Sequence, residues 1–283
     1  MIKIAIQKSG RLYEDSLRLL KDCGLSIEDG LDTLKAEVRN FNAEVLFLRN
    51  SDIPQYLEDG VADVAILGEN VLIEKGVDIE IVERLGFSKC RLSVAMPKGI
   101  DYTGPQSLEG LKIATSYPKT LQGFLDENEV SASIHLISGS VEIAPNIGLA
   151  HAICDLVSSG STLFKNGLEE KQIILKSEAV LAVNKKSLVE YSDIIYELSF
   201  RINAVLKARK NKYILFNVPN DKIGEASQIL PVLKSPTVLP LVEEGWSSMH
   251  SVISDDDFWD VIARLKAIGA QGILVVPIEK MVV

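Results

Sequence analysis

Residues 151–168 read HAICDLVSSGSTLFKNGL, an apolar run that carries Asp155 and then a turn of small residues. The turn, residues 158–162, holds four hydroxyl side chains around Gly160. A buried strand that ends in such a turn commonly forms an anion site in α/β proteins, because turn N–H groups and hydroxyls donate to phosphate oxygens. Asp155 cannot bind phosphate, but it can hold ribose hydroxyls or a magnesium shell. The stretch predicts a phosphorylated-sugar site, although a plain strand, turn and helix cap would use the same residue types.

The composition predicts a globular protein of about two domains. The chain has 283 residues, of which 47% are hydrophobic, and a net charge of −9. This acidic balance argues against a nucleic-acid partner, which needs a basic face. Three cysteines far apart give no disulfide framework and favour a reducing compartment. The N-terminus lacks the long apolar core of a signal peptide, and no apolar run approaches the ~20 residues of a membrane span. We therefore expect a soluble, cytoplasmic protein.

The first part of the chain repeats a strand–loop–helix unit, which predicts a parallel sheet. Charged residues follow the predicted strands, at the edge where open α/β sheets bind ligands. Lys and Arg in such loops are good phosphate ligands, although solvated surface cations would look the same in sequence. The predicted strands are 2–6, 44–49 and 61–67, the helices are 12–23, 53–59 and 71–75, and the residues at the edge are Lys8, Arg11, Arg49 and Glu69.

A second α/β block follows and ends in a long return strand and a long helix. Two such blocks predict two lobes with a cleft, the architecture of periplasmic-binding-protein-like folds. The predicted strands are 91–96, 111–114, 133–137, 153–157 and 172–183, and the helices are 119–128, a short one carrying Glu142, and 191–209. We expect lobe I to comprise residues 1–92 with 181–209, and lobe II, which carries the anion loop, to comprise residues 93–180.

The remaining residues, 210–283, predict a separate C-terminal domain. Strands at 213–218, 236–242, 249–253 and 273–277, with helices at 221–230 and 255–268, give the order βαββαβ. We expect Ser254 to cap the second helix. This order is that of the ferredoxin-like fold. The segment carries no obvious catalytic cluster, so a regulatory or oligomerising role is the better interpretation. The fold class predicted for the chain is therefore α/β, with a bilobal catalytic part and a C-terminal ferredoxin-like domain.

Short motifs along the whole chain resemble the long form of ATP phosphoribosyltransferase. Each motif is weak alone, but all of them occur in the family's order. They are QKSGRL at 7–12, DG at 59–60, GENV at 68–71, CRL at 90–92, ATSYP at 114–118, GSVE at 139–142, CDLV at 154–157, GSTL at 160–163, NGL at 166–168, PTVLPL at 236–241 and PIEK at 277–280.

The resemblance implies an enzyme that begins histidine biosynthesis. It implies a 5-phosphoribosyl 1-diphosphate donor, attack by N1 of the ATP adenine, Mg²⁺, dimers that assemble to hexamers, and feedback inhibition by histidine at the C-terminal domain. A non-enzymatic bilobal protein that binds a small anion and carries a sensor tail is the competing class. The absent signal peptide and helix-turn-helix count against that class, and the resemblance counts against it more strongly.

The resemblance, combined with the residue chemistry, assigns the site. We expect the loop to bind the ribose 5′-phosphate, and Asp155 and Glu142 to act at the ribose hydroxyls or at magnesium through water. Cations and polar groups of lobe I would face the ATP triphosphate or the leaving diphosphate, with Glu69 and Tyr117 orienting the nucleotide. The loop residues are Ser158, Ser159, Gly160, Ser161 and Thr162, the lobe I residues are Lys8, Ser9, Gly10, Arg11 and Arg49, and the expected histidine site is Asn217, Thr237, Leu239 and Gly272.

One residue departs from the family pattern. His151 stands four residues before Asp155, where the family usually has a second acid. An imidazole cannot hold a metal shell as a carboxylate does. Either Glu142 and Asp155 suffice for that role, or the position is peripheral to the site.

Overall fold

A computed structural model describes residues 1–28, 33–230 and 235–282. The chain divides into two compact units, residues 1–196 and 197–283. No helix of the described residues is long and apolar enough to cross a membrane. The strands of the first unit are β1 (Ile2–Gln7), β2 (Lys35–Glu37), β3 (Ala43–Leu48), β4 (Val64–Gly68), β5 (Glu80–Arg84), β6 (Cys90–Pro97), β7 (Lys112–Thr115), β8 (Ser133–Leu136), β9 (Ala152–Val157), β10 (Leu168–Ser177) and β11 (Ala179–Val183).

Helices connect most of these strands, and one of them leads into the second unit. Proline in the first turn suits the starts of α2 and α4, where the missing N–H has no intrahelical acceptor. The helices are α1 (Arg11–Asp22), α2 (Ile53–Glu58), α3 (Glu69–Lys75), α4 (Pro118–Glu127), α5 (Ser161–Lys165), α6 (Lys185–Glu190) and α7 (Ser192–Arg209), with 3-10 turns at Pro105–Leu108 and Val141–Ile143.

The first unit contains two sheets, which confirms the bilobal, periplasmic-binding-protein-like architecture. The lobe I sheet has the order β2-β3-β1-β4-β11-β5, and the lobe II sheet has the order β10-β6-β9-β7-β8. The central strands β4 and β11, VAILG and AVLAV, are almost wholly buried. Apolar runs of this kind belong to sheets covered on both faces. Separate apolar clusters fill the two lobes, with Leu67 and Val180 in one and Val94 and Ile113 in the other.

Neither sheet is purely parallel, so the prediction of a parallel sheet is only partly right. β1 pairs parallel with β3 and β4, and β7 pairs parallel with β8 and β9. The remaining pairs, which involve β2, β5, β6, β10 and β11, are antiparallel. Apart from β2–β3, each antiparallel pair includes β6 or β11, the strands that enter their sheet from the other lobe. A strand that enters from the other sheet need not keep the direction set by the helical crossovers.

The predicted long strand 172–183 is wrong as a single element. The structure has two strands, β10 in lobe II and β11 in lobe I, separated at Glu178. No glycine or proline stands between Gln172 and Val183, so the sequence carries no turn signal at the crossing. Helix 191–209 is confirmed as α7, preceded by the separate α6, whereas Glu142 lies in a three-residue 3-10 turn. The short charged edge strands β2 and β5 were not predicted.

The second unit has a four-stranded antiparallel sheet in the order β13-β14-β12-β15, which confirms the ferredoxin-like order. Phe216 and Met249 are fully buried in its core with Leu265. The predicted cap Ser254 is displaced, because the helix begins at Phe258 and the Ser254 hydroxyl accepts a bond from the Asp256 N–H. The elements are β12 (Asn211–Pro219), a 3-10 turn (Asn220–Lys222), α8 (Ile223–Ile229), β13 (Thr237–Pro240), β14 (Trp246–Ser254), α9 (Phe258–Ala267) and β15 (Gln271–Pro277).

Candidate active site

The quoted stretch forms β9, a loop and α5, and the loop borders a cavity of about 140 Å³. Glu142 reaches the same cavity from its 3-10 turn. Of the residues predicted for the sugar phosphate, the structure brings all but Ser161 to the cavity wall. The lining residues are Glu142, Asp155, Leu156, Val157, Ser158, Ser159, Gly160, Thr162 and Leu163.

The loop backbone depends on Gly160, whose φ of 79° lies in the left-handed region. This conformation is costly for residues with a Cβ atom. Ser161 does not line the cavity; its hydroxyl accepts a bond from the Ser159 hydroxyl at 3.1 Å and its N–H donates to Ser159 Oγ at 3.4 Å. Ser158, Ser159 and Thr162 are exposed. The loop therefore presents hydroxyl donors to solvent on a turn that is fixed by a glycine and by its own hydrogen bonds.

Two carboxylates face the cavity, and no cationic side chain of the described residues lines it. Burial, together with the charge of Glu142, raises the pKa of Asp155 to about 6. The Leu156 N–H, which donates to Asp155 Oδ1 at 2.8 Å, acts in the opposite direction. A half-buried acid pair without a cationic partner favours the binding of a cation or of positive charge that develops during a reaction.

The polar groups predicted on lobe I meet at one edge of its sheet. Lys8 and Arg49 follow adjacent parallel strands, and the Lys8 N–H donates to the Leu48 carbonyl at 2.9 Å. Ser9 and Gly10 continue the turn, with Gly10 at a φ of 84° as the N-cap of α1. Arg11 is 79% exposed and lies 3.9 Å from Asp15, too far for a hydrogen bond. This edge therefore presents cations whose charge is mainly balanced by solvent.

Glu69 begins α3 at the same edge, but its carboxylate is already bound. Both of its oxygens accept bonds from Arg84, at 2.5 and 2.7 Å. The hydrogen bond and the charge of Glu69 raise the pKa of Arg84. A direct bond from Glu69 to a nucleotide would compete with this pair. Arg84 gave no signal in the sequence, because the pair joins residues from different strands and helices.

Tyr117 lies where the two lobes meet. Its hydroxyl is 3.4 Å from Nδ2 of Asn70, which is buried on lobe I. Burial, together with the charge of Asp155, raises the pKa of Tyr117 to about 12, so the phenol stays neutral and can donate. Ser177 fixes Asn70 by donating to its Oδ1 and by accepting from its backbone N–H, both at 3.0 Å. Asn70 and Ser177 were not predicted, although Asn70 stands in the quoted GENV motif.

Glu74 joins the lobes a second time. It belongs to α3, and its carboxylate accepts bonds from the N–H groups of Lys119 and Thr120 at 2.9 Å and from the Thr120 hydroxyl at 2.7 Å. These N–H groups lie in the first turn of α4, where amides lack intrahelical acceptors. Lobe I thus supplies the cap for a lobe II helix, which begins directly after Tyr117.

His151 lies at the other end of β9 from the loop. Its Nδ1 accepts a bond from the Lys112 N–H at 2.9 Å, and its own N–H donates to the Lys112 carbonyl at 2.8 Å. Four residues of extended chain separate it from Asp155, roughly 13 Å. The structure thus places this position away from the cavity that holds Asp155.

The four residues predicted for histidine lie on one face of the second unit's sheet. Asn217 alternates with the buried Phe216 and Val218, so it faces away from the core. In register, Leu239 pairs with Ser248 and Ser248 pairs with Asn217, while Thr237 lies two residues along β13. Gly272, at a φ of 59°, places its backbone beside the Asn217 amide: an added Cβ would lie 3.3 Å from Nδ2.

These features define a class: a bilobal, periplasmic-binding-protein-like α/β protein with a ferredoxin-like C-terminal domain. The family model described as ATP phosphoribosyltransferase matches residues 49–204, and the model of the HisG C-terminal domain matches residues 208–280. The chain belongs to the ATP phosphoribosyltransferase family, and its enzyme class is that of a transferase.

Individual relatives agree with this assignment. The chain is 55% identical over 282 residues to the ATP phosphoribosyltransferase of Cytophaga hutchinsonii, with 100% of this chain and 99% of the relative covered. It is 53% identical over 283 residues to that of Bacteroides thetaiotaomicron, with full coverage of both. Among solved structures, the ATP phosphoribosyl transferase (HisG:HisZ) complex from Thermotoga maritima gives a TM-score of 0.62 at 29% identity, covering 72% of this chain and 99% of that chain.

Proposed function

We propose that the protein transfers the 5-phosphoribosyl group from 5-phosphoribosyl 1-diphosphate to N1 of ATP, the first step of histidine biosynthesis, and that the 158–162 loop binds the donor's 5′-phosphate. The observation that carries the site assignment is the cavity in which hydroxyl donors and two carboxylates face each other. Phosphate oxygens need donors, whereas ribose hydroxyls need acceptors. The cavity of about 140 Å³ supplies both.

Glu142 and Asp155 fit a magnesium ion held through water, since Mg²⁺ keeps several waters and takes one or two carboxylates plus substrate oxygens. Described residues contain no cluster of three or more metal-ligating side chains, so the diphosphate itself would complete the coordination. When bound, Mg²⁺ neutralises the charge of the leaving diphosphate.

The reaction needs no protein nucleophile. The adenine N1 lone pair attacks the ribose C1 while the bond to diphosphate breaks, and positive charge develops on the ribose. Asp155 and Glu142 are placed to stabilise that charge, and the loop holds the phosphate end of the sugar in position. In this proposal the protein contributes orientation and electrostatics.

Lobe I would bind the other substrate. Lys8, Ser9, Gly10, Arg11 and Arg49 present donors and positive charge to the ATP triphosphate or the leaving diphosphate. Tyr117 would orient the nucleotide between the lobes, with Asn70 holding its hydroxyl. Glu69 would orient the nucleotide at the same edge. It would either keep its ion pair with Arg84 or exchange that pair for the nucleotide.

The assay combines the protein, ATP, 5-phosphoribosyl 1-diphosphate and Mg²⁺, and follows phosphoribosyl-ATP by ultraviolet absorbance and diphosphate by a coupled reaction. We expect release of diphosphate only when both substrates are present. Binding of both substrates without product would contradict the proposal and would fit a binding protein with a sensor tail.

For the C-terminal domain we propose histidine inhibition at Asn217, Thr237, Leu239 and Gly272. Calorimetry with histidine on the full chain tests this site. Asn217→Leu should abolish histidine binding and inhibition, with the uninhibited activity unchanged, whereas Asn211→Leu on the same strand serves as the control. Unchanged inhibition in Asn217→Leu would place the effector elsewhere.

The domain limits, 1–92 with 181–209, 93–180 and 210–283, stay predictions, as do the cytoplasmic location and the assembly of dimers to hexamers. The β15 face supports self-association, because Leu274 and Val276 are 58% and 45% exposed. Analytical ultracentrifugation over a concentration series tests the assembly, and a monomer at all concentrations would contradict it.

A further inference from the structure

We infer that Arg91 is a positioning residue for the 158–162 loop. Glu170 holds the Arg91 side chain in place, and Arg91 acts on the loop through the Ser158 carbonyl. This inference rests on the proposal that the loop binds the 5′-phosphate. Arg91 is the second residue of β6, and its register partner is Val157, the last residue of β9. It therefore lies beside the point where the loop leaves the sheet.

The contacts of Arg91 divide between an anchor and the loop. Nε and Nη2 donate to the two oxygens of Glu170, at 2.5 and 2.6 Å. Nη1 donates to the Ser158 carbonyl at 3.0 Å. Both side chains are mostly buried, with 29% and 25% exposed. A planar guanidinium can make a bidentate pair and a third bond at the same time, which a lysine ammonium cannot do with the same geometry.

The neighbouring strand explains why Glu170 provides the anchor. Lys176 stands directly opposite Arg91 on β10, and like charges in that position repel. Register shifts on β10 lie on both sides of Gln172 and Ile173, and bulges of this kind redirect side chains. Ser93 completes the anchor by donating to Glu170 Oε1 at 2.6 Å.

Ser93 also lies opposite one of the two cavity carboxylates in the sheet. It is fully buried and is the register partner of Asp155. One strand, β6, thus places Arg91 beside the start of the loop and Ser93 beside Asp155. The hydrogen bond and charge of Arg91 lower the pKa of Glu170, so the anchor remains ionised at neutral pH.

The effect on the loop follows from the planarity of the peptide group. In a trans peptide the C=O and the next N–H point in opposite directions. By holding the Ser158 carbonyl, Arg91 directs the Ser159 N–H away from the guanidinium. Ser159 lines the 140 Å³ cavity and Arg91 does not; Arg91 lines a separate cavity of about 410 Å³ with Ser158. Arg91 therefore acts from behind the loop, and the ligand contacts are left to the loop itself.

The test compares Arg91→Ala, Arg91→Lys and Glu170→Gln in the full chain, with ribose 5-phosphate and ATP as separate binding probes in calorimetry. We expect Arg91→Ala to raise the Kd for ribose 5-phosphate and the KM for the donor about tenfold, and the ATP values less than twofold. Arg91→Lys should recover little, because one ammonium cannot make all three bonds. Glu170→Gln should raise the donor values about threefold, since the amide oxygen can keep one of the two bonds from Arg91 while the second bond and the charge are lost.

Glu169→Gln is the matched control. It removes the adjacent ion pair with Lys171, which has no contact with the loop, and should leave both substrates unaffected. Thermal melts show whether each variant is folded. If Arg91→Ala is not folded, the binding and KM values of Arg91→Lys and Glu170→Gln test the inference. The inference would be overturned if the Arg91 variants weakened the binding of ribose 5-phosphate and of ATP equally, or weakened neither.

A further variant separates this inference from the proposal beneath it. Thr162→Val removes a loop hydroxyl that lines the cavity. If Thr162→Val weakens ribose 5-phosphate but the Arg91 variants do not, only the positioning role fails. If Thr162→Val has no effect either, the assignment of the loop to the 5′-phosphate fails.

Discussion

The two sides of the catalytic cleft are built differently. On lobe II, hydrogen bonds within the protein join the 158–162 loop to the Arg91–Glu170 anchor, and the acid pair lines the same cavity as the loop. On lobe I, Arg11 at the start of α1 and Arg49 directly after β3 are exposed to solvent. A prearranged site loses little side-chain entropy on binding, whereas a set of solvated cations is ordered by its ligand. The donor side should therefore respond sharply to single substitutions, and the nucleotide side more gradually.

The largest expected effect belongs to Asp155. Asp155→Asn keeps the shape of the side chain but removes the charge that faces the ribose. We expect kcat/KM to fall by roughly 100- to 1000-fold, as when one electrostatic contact to a transition state is lost. ATP affinity should remain within twofold. Asp126→Asn, at an exposed position on α4, is the control. A fall of less than tenfold would refute the role of Asp155.

The same variant should be more stable than the parent protein, because it removes a charge that the fold disfavours. A carboxyl pKa of about 6 in the folded state against 3.8 unfolded lowers stability above pH 6, by at most about 3 kcal/mol. We expect Asp155→Asn to raise the free energy of unfolding by about 2 kcal/mol at pH 8, which corresponds to about 4 °C in Tm. The gain is smaller than the maximum because the amide also loses hydrogen bonds that the carboxylate makes.

The gain should shrink as the pH falls from 6 toward 4, because both states of the parent protein are protonated below pH 3.8. Melting curves at pH 8, 6 and 4, without magnesium or substrate, measure it. A gain that is independent of pH would contradict the assigned pKa.

On the nucleotide side, Arg49→Ala should raise the KM for ATP by about tenfold, the usual effect of losing one charge-assisted bond to phosphate. Donor affinity should not change. The difference in the KM for ATP between Arg49→Ala and the parent protein should become smaller as the salt concentration rises, because exposed charges are screened. Arg18→Ala removes a cation from α1 on the same lobe and is the control. A larger effect on the donor than on ATP would reverse the assignment of the two sides.

The smallest effect is expected from Thr162→Val, which removes one hydroxyl from the prearranged loop. The KM for the donor should rise about fivefold, corresponding to about 1 kcal/mol, the net contribution of a typical hydrogen bond. Ser161→Ala is the comparison within the loop, because Ser161 does not line the cavity. If Ser161→Ala raises the KM for the donor as much as Thr162→Val does, the loop acts through its conformation and not through individual hydrogen-bond donors.

Sequence patterns predicted most of the strands and helices and the loop with its acid, because these depend on local periodicity and turn chemistry. The crossing at Glu178 was missed, since a single residue separates the two strands and no glycine or proline marks it. Contacts between distant residues were also beyond local patterns. The pairs Glu69–Arg84 and Arg91–Glu170, and the cap from Glu74, join residues 15, 79 and about 45 positions apart. From sequence alone, a charged residue with a distant partner cannot be distinguished from one that is solvated at the surface.

The cap on α4 has a consequence for motion. Because Glu74 stands on lobe I, separating the lobes would leave the first amides of α4 without their acceptor, so the helix start should fray when the cleft opens. Amide hydrogen exchange at Lys119 and Thr120 would then report the open population of the enzyme, and substrates that hold the lobes together should slow it. Tyr117 immediately precedes that turn, so opening the cleft would also loosen the phenol near Asp155. Substrate exchange and disorder in the site would then be parts of a single event.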